Sequence, residues 1–518
     1  MKRNYFTYMM QAVVLLCTSI VVSSMLVACS TSDNPTGNSE NIDESRPLYS
    51  LLKKNSKVHK IKKMSDARGF GFKECYKFYY EQPLDHNDAS KGTFRQEVVV
   101  FLRDVDAPTV VYLSDYEMSY KNRDDAWYND LGYDLEANYV EIEHRYFGDS
   151  KIQNDTKWEY ISAKQAAADQ HEIINALKPL LKGWVSTGVV EPMFLTYFYP
   201  DDVDVTTVFC SPFLTSMKDD RIPKYLFKEC GDGADQEHAL ALLNRVLKDG
   251  TDGLYAKVND EFKAFLEEHG KTPKNFPFYM YVTCAIEVNN GLYMYYNEKE
   301  RKEIWPAIDC SDEELLNFYT SGTIYAYFLE QIGTPVNEMT WEEYNPYYPY
   351  YIQATKELGE YCYDLSLLGD ITNAPGFDDP MFTAEPKEQN YYGLLDADMW
   401  VYDTYDNSMM LDLLDNFLPN TDKPILFVYS TNDPWTGARP AKINNNVAKM
   451  IFNPIGVHAM YLNNPDYCPT SVRSEVLDYI GKYIKTPATA RSRGEVNLPS
   501  VQPDRRKIHK HNRIPIAF

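Results

Sequence analysis

The sequence predicts an α/β fold: a mostly parallel sheet flanked by helices and interrupted by a long helical insertion. Runs such as VVYL, TTVF and ILFVY are apolar on consecutive positions, which suits strands buried on both faces, as in a parallel sheet. Between two such runs, Ala167, Ile173, Ile174, Leu177 and Leu181 recur at helical spacing. Strand, helix, strand is the crossover unit of such a sheet. A stretch from 216 to 415, rich in Leu, Tyr, Glu and Lys with helical periodicity, then separates the early strands from the late ones.

Taken from the N-terminus, the first element is an export signal. Lys2 and Arg3 give a short positive region, an apolar stretch runs from 12 to 27, and Leu26-Val27-Ala28-Cys29 closes it. Small residues before a cut mark a secretory signal, and the cysteine resembles the lipobox of bacterial lipoproteins. Residues 1–28 are therefore expected to be removed and Cys29 to carry lipid, because the apolar core is short for a membrane span of ~20 residues. Residues 29–65 are expected to form a lipid-attached tether. Their first part, STSDNPTGNSENIDESR, has too little apolar surface for a core. The chain is thus expected to be an exported lipoprotein on an outer membrane, facing the periplasm or the cell surface.

The N-terminal part of the sheet domain is expected over 66–215, with strands at 96–102, 108–114, 139–144, 184–187 and 206–211 and a helix at 163–181. A helical cap follows over 216–415, with helices at 237–248 and 260–269. Its tyrosine clusters (Tyr293, Tyr295 and Tyr296; Tyr344, Tyr347, Tyr348, Tyr350 and Tyr351) are expected mainly in core or surface. Residues 416–485 return to the sheet with strands at 424–430 and 449–453. A Pro-containing tail over 486–518 holds the one basic cluster, Arg505-Arg506-Lys507 with Lys510 and Arg513.

Formal charge is −23, and without a basic stripe to release phosphate counterions, nucleic acid is excluded as a partner. Beyond Cys17 and Cys29 there are seven cysteines, at 75, 210, 230, 284, 310, 362 and 468. An exported protein can form disulfides, but this odd, irregular set leaves the pairing open. Neither a CxxC nor a Cys/His cluster at zinc spacing occurs, so no metal or other cofactor is expected.

Two late positions have catalytic form. Asp433 follows the strand PILFVYS, and His458 follows KMIFNP in the string Gly456-Val457-His458. An α/β-hydrolase carries its triad in the order Ser, Asp, His, with acid and base on loops after late strands. The acid orients the imidazole and the imidazole relays the proton. The nucleophile belongs in a G-x-S-x-G turn between a strand and a helix. The matching place is Trp184-Val185-Ser186-Thr187 followed by Gly188-Val189-Val190-Glu191-Pro192. Val190 stands at the serine position and Pro192 at the second glycine, and valine has no nucleophilic atom. Its β-branch also opposes a strained elbow by about 1–3 kcal/mol. Glu191 holds the position whose N–H serves an oxyanion hole, and a carboxylate there opposes developing negative charge by up to ~4 kcal/mol.

Further strings carry a resemblance. They are Gln82-Pro83-Leu84-Asp85-His86, Ser90-Lys91-Gly92-Thr93-Phe94, Asp106-Ala107-Pro108-Thr109-Val110, Glu143-His144-Arg145-Tyr146-Phe147-Gly148, Trp158-Glu159-Tyr160, Gln165-Ala166-Ala167-Ala168-Asp169, Trp184-Val185-Ser186-Thr187-Gly188, and Phe198-Tyr199-Pro200-Asp201-Asp202-Val203-Asp204. Together the chain resembles the secreted serine tripeptidyl aminopeptidases, relatives of the prolyl carboxypeptidases. The likeness spans roughly 70–215 and 420–485, and more loosely the cap. It implies an α/β-hydrolase with a helical cap that releases short peptides from free N-termini, with Asp433 as acid and His458 as base. Such enzymes carry Ser-Lys-Gly-Gly after the Ser-Thr-Gly string. Here VVEPMFLTYF is shorter by about one helical turn of ~3.6 residues.

The expectation is a lipid-anchored homologue without turnover, partnered by peptides or by an unidentified protein. Two alternatives are an active aminopeptidase using another serine (Ser186, Ser211 or Ser114, each in or at the end of a strand) and a structural surface lipoprotein.

Overall fold

The computed structural model describes residues 46–484, apart from 119–124, 127–128, 153–154, 156, 321–322, 334–344, 364, 391 and 459–460. The leader, Cys29, the residues of the tether before 46, and the basic tail lie outside the described residues.

A nine-stranded sheet organises the molecule. Its strands are β1 (Val58–Lys63), β2 (Glu74–Pro83), β3 (Thr93–Leu102), β4 (Pro108–Leu113), β5 (Asn138–Ile142), β6 (Lys182–Gly188), β7 (Val205–Phe209), β8 (Ile425–Ser430) and β9 (Lys449–Asn453). They lie in the order β1-β2-β3-β5-β4-β6-β7-β8-β9. The first three are antiparallel to their neighbours, and every pair from β5 onward is parallel. The strands β5 and β8 are buried at every residue, β8 as its apolar run ILFVY requires and β5 with Asn138 and Glu141 buried as well.

The expected tether is shorter than 29–65. Helix α1 (Pro47–Lys54) buries Leu48 and Leu52 against the sheet, and Glu74 accepts the Leu48 and Tyr49 N–H groups at the start of that helix. β1 then pairs with β2. The polar composition before 46 hid a folded edge that begins immediately after it.

Helix α2 (Ala163–Leu177) starts where the Ser162 side chain accepts the Gln165 N–H, and buries Ala167, Ile173, Ile174 and Leu177. It connects β5 to β6. The next helix, α3 (Glu191–Phe198), is buried on Met193, Phe194 and Leu195; a helix apolar all round belongs in a core.

Between β7 and β8 the described chain is helical, in two parts. The first has its own core, drawn from α4 (Gly233–Leu247), α5 (Leu254–Glu268) and α6 (Phe278–Tyr295), followed by α7 (Glu298–Ile304). The second part packs Tyr348, Ile352, Leu413 and Leu418 with Phe427 and Tyr429 of the sheet. Only the first part is therefore a lobe in its own right. Helix α8 (Thr470–Tyr483) closes the other face with Val476 and Ile480 over Leu426 and Val428. No helix among the described residues is long and apolar enough to cross a membrane.

Candidate active site

β8 ends at Ser430, and its loop turns on Asp433, whose Oδ1 accepts the Trp435 N–H at 3.1 Å. β9 ends at Asn453, and the following loop carries His458. The two side chains meet: His458 Nδ1 lies 2.9 Å from Asp433 Oδ2, with the aspartate fully buried and the imidazole 20% exposed. The sequence places these residues 25 positions apart on successive strand-end loops, and adjacent parallel strands bring those loops together. Trp435 stacks edge-on over the His458 ring at 5.9 Å.

The insertion holds both loops. The His458 N–H donates to the Met294 carbonyl of α6 at 3.0 Å, and the Gly231 N–H donates to the Thr431 carbonyl at 3.3 Å. Arg301 of α7, fully buried, donates to Asp235 at 2.6 Å and reaches Asn432 Oδ1 at 3.4 Å.

At the elbow the structure offers no hydroxyl. Val190 sits in front of α3 with its side chain packed among Met193, Phe194 and Phe213. Its backbone lies at φ −102°, ψ −37°, in the ordinary right-handed region. The strain expected from a β-branched residue on a nucleophile turn is absent, because the turn has relaxed into the start of a helix. Gly188 is still required: a Cβ there would meet the Leu113 carbonyl oxygen at 2.7 Å.

The oxyanion position is filled from within. Asp115, half-buried after β4, accepts the N–H groups of Val190 and Glu191 on one oxygen, each at 3.3 Å. Of these two, the Glu191 N–H belongs to the residue after the nucleophile position, the donor that a hydrolase of this design turns toward developing charge. Burial, and secondarily the charge of Glu191, push the Asp115 carboxyl up to about 7.

Glu191 does not face a cleft, as its place in the sequence suggested. Its carboxylate points into the body, accepting Gln170 Nε2 at 3.0 Å and lying 3.5 Å from His144 Nε2. Burial alone would lower the His144 imidazole, but the Glu191 carboxylate, the Arg145 carbonyl and the Asp115 charge together outweigh it and the net shift is upward. The anion opposing an oxyanion is therefore Asp115, which sequence reasoning missed. The signal was its position directly after the strand that supplies oxyanion donors in this fold.

None of the three alternative serines reaches the imidazole. The hydroxyls of Ser186 and Ser211 are buried without a partner, and Ser114 bonds the Tyr116 backbone. Of the tyrosine clusters, Tyr293, Tyr348 and Tyr351 are core, Tyr344 lies outside the described residues, and Tyr347 and Tyr350 pack edge-on and tilted against Tyr116, each at 5.2 Å.

Beneath the acid lies Cys210, the residue after β7. It is fully buried, takes a left-handed backbone at φ 51°, and its Sγ lies 3.8 Å from the Val457 carbonyl. Burial and the adjoining Asp433 push its thiol well above the usual range. The seven cysteines among the described residues are free thiols.

Three of the quoted strings brace one another. Arg145 binds Asp169 through two bonds of 2.8 Å, both residues fully buried. His86 bonds the same aspartate at 2.7 Å.

Residues 56–446 match the family model PS-10 peptidase S37. The prolyl tri/tetrapeptidyl aminopeptidase of Streptomyces mobaraensis is 26% identical over 440 residues, covering 83% of each chain. Among solved structures, the proline iminopeptidase of Mycobacterium smegmatis aligns with 78% of this chain and 98% of its own at 12% identity and a TM-score of 0.30. Epoxide hydrolase A of Mycobacterium thermoresistibile aligns with 79% and 99% at 12% identity and a TM-score of 0.32.

Proposed function

We propose, from the premise that this chain belongs to the PS-10 peptidase S37 family, that it is a member without serine-peptidase turnover that binds peptides, held at a membrane by lipid on Cys29. One observation carries the loss of turnover. Hydrocarbon occupies the nucleophile position, and the two N–H groups beside it are already bonded to the Asp115 carboxylate.

Each defect acts on a different part of the reaction. Without a hydroxyl, no acyl-enzyme forms. Loss of the nucleophile from a related triad costs ~10⁶ in turnover. The Asp115 carboxylate adds to this, because an oxyanion would have to displace it from the Glu191 N–H, and one such donor is worth ~10²–10³. The Asp433–His458 pair is sound, but it faces no proton to relay. Peptide as the ligand class is supported by the name of the Streptomyces relative. The lipid anchor is supported by the Leu-Val-Ala-Cys string alone.

A fluorophosphonate probe on the purified full chain tests the reading. We expect no covalent labelling, together with saturable binding of peptides that have a free N-terminus. Labelling of any serine would overturn the loss of turnover. Silence without peptide binding would overturn the peptide assignment and leave a structural lipoprotein.

A further inference from the structure

Cys210, Asp433 and His458 come from three strand-end loops, yet one ligand atom of each lies within 4.8 Å of the other two. We infer that this trio is a binding site for one divalent transition-metal ion of borderline softness, of which Zn²⁺ is the type, with its fourth position open toward solvent past the His458 ring.

The donor set is a thiolate, an imidazole and a carboxylate. That combination suits zinc rather than magnesium or calcium, which take oxygen ligands. The spacing suits it too. An ion with bonds of ~2.0–2.3 Å in a tetrahedron sets its ligands ~3.3–3.7 Å apart. The Asp433–His458 contact of 2.9 Å has to open by about half an ångström, and the sulfur, within 4.8 Å of both, has to move in by about an ångström at most.

Two further features favour the arrangement. Cys210 holds a left-handed backbone that non-glycine residues seldom adopt, and that turn carries its sulfur beneath Asp433. Backbone outliers of this kind cluster at functional sites. The second feature is the outer ring of contacts. Asp433 Oδ1 is fixed by the Trp435 N–H at 3.1 Å, which leaves Oδ2 for an ion. The His458 backbone is fixed to Met294, so the ring is already oriented. Metal sites require this kind of support around their ligands.

The proton balance is simple. The Cys210 thiol gives up its proton to solvent on binding, as metal thiolates do. The imidazole keeps one proton, which shifts from Nδ1 to Nε2 so that Nδ1 can donate its lone pair. No electron changes hands. His458 is 20% exposed while Asp433 is fully buried, so the ion enters past the imidazole and its open position faces outward. No spacing motif announces the site, because its donors stand at 210, 433 and 458.

The inference is independent of the missing nucleophile and is tested by spectroscopy. The purified full chain, reduced and stripped with chelator, is titrated with Co²⁺, which reports a thiolate ligand through a sulfur-to-metal charge-transfer band. We expect one ion per chain, displaced by Zn²⁺. Cys210→Ser should abolish the band, and His458→Ala should weaken binding by more than the ~10–100-fold lost with an outer partner. Cys230→Ser should leave both unchanged, and near-ultraviolet circular dichroism checks that each variant is folded. Absence of a stoichiometric ion in the wild type would overturn the site. So would a band that survives in Cys210→Ser, which would assign the ion to another thiol.

Discussion

Replacing Asp115 with Asn separates the charge at the elbow from its hydrogen bonds. The amide oxygen still faces the Val190 and Glu191 N–H groups, so the local geometry is kept while the carboxylate is removed. Burial and the charge of Glu191 put the Asp115 carboxyl at about 7, against ~3.9 in an unfolded chain. A carboxyl whose folded pKa is raised binds more protons folded than unfolded between those values. Its contribution to stability is therefore full below about pH 4 and is lost as pH rises toward about 7. Three pKa units at ~1.36 kcal/mol each give a ceiling of ~4 kcal/mol, of which ~2.6 falls between about pH 5 and about pH 8. Asp115 is only half-buried, so solvent screening reduces this to about 1–1.5 kcal/mol. That corresponds to a Tm change of roughly 2 °C, below the domain scaling because this chain is longer.

Thermal unfolding of wild type and Asp115→Asn at the two pH values reads the difference directly. The variant should gain about 2 °C more over wild type at about pH 8 than at about pH 5. Glu143, raised to about 8, and Glu357, raised to about 7, both by burial, titrate in both proteins and cancel. An equal gap at both pH values would refute the placement of an ionising carboxyl on those two N–H groups.

Val190→Ser alone should give no detectable peptidase turnover, since Asp115 still occupies the Glu191 N–H; a chromogenic tripeptide substrate checks it. Arg301→Ala should destabilise by about 3–5 kcal/mol, because Asp235 is left as an uncompensated buried charge, with the loss read by chemical denaturation. The double variant Arg301→Ala, Asp235→Ala should recover part of that loss. Leu48→Ala should cost about 2–5 kcal/mol by opening a cavity under α1, whereas a substitution in a free tether would cost nothing.

The parallel strands were legible because burial on both faces leaves unbroken apolar runs, and VVYL and ILFVY became β4 and β8 within a residue or two. β1 was not legible. Its sequence VHKIKK is polar at four of six positions and exposed at three of them at the sheet edge, so neither a run nor a clean alternation marks it. That Asp433 and His458 meet was legible from strand-end position, since the loops after β8 and β9 are short and must converge. The inside of the elbow could not. Whether Glu191 turns toward a cleft or toward His144 depends on which buried partner is available, and that partner lies 47 residues away in the chain. Asp115 and Cys210 were invisible for the same reason: each acquires meaning only from a neighbour in space.

The anchoring of the acid and base loops to Met294, Gly231 and Arg301 has a consequence for how this protein can be taken apart. A lid that swings can be excised, exchanged between relatives or clamped without harm to what lies beneath. This insertion supplies part of the wall that keeps the imidazole and its aspartate facing each other. Deleting it would leave a sheet with two slack loops, and transplanting it would require carrying both loops along.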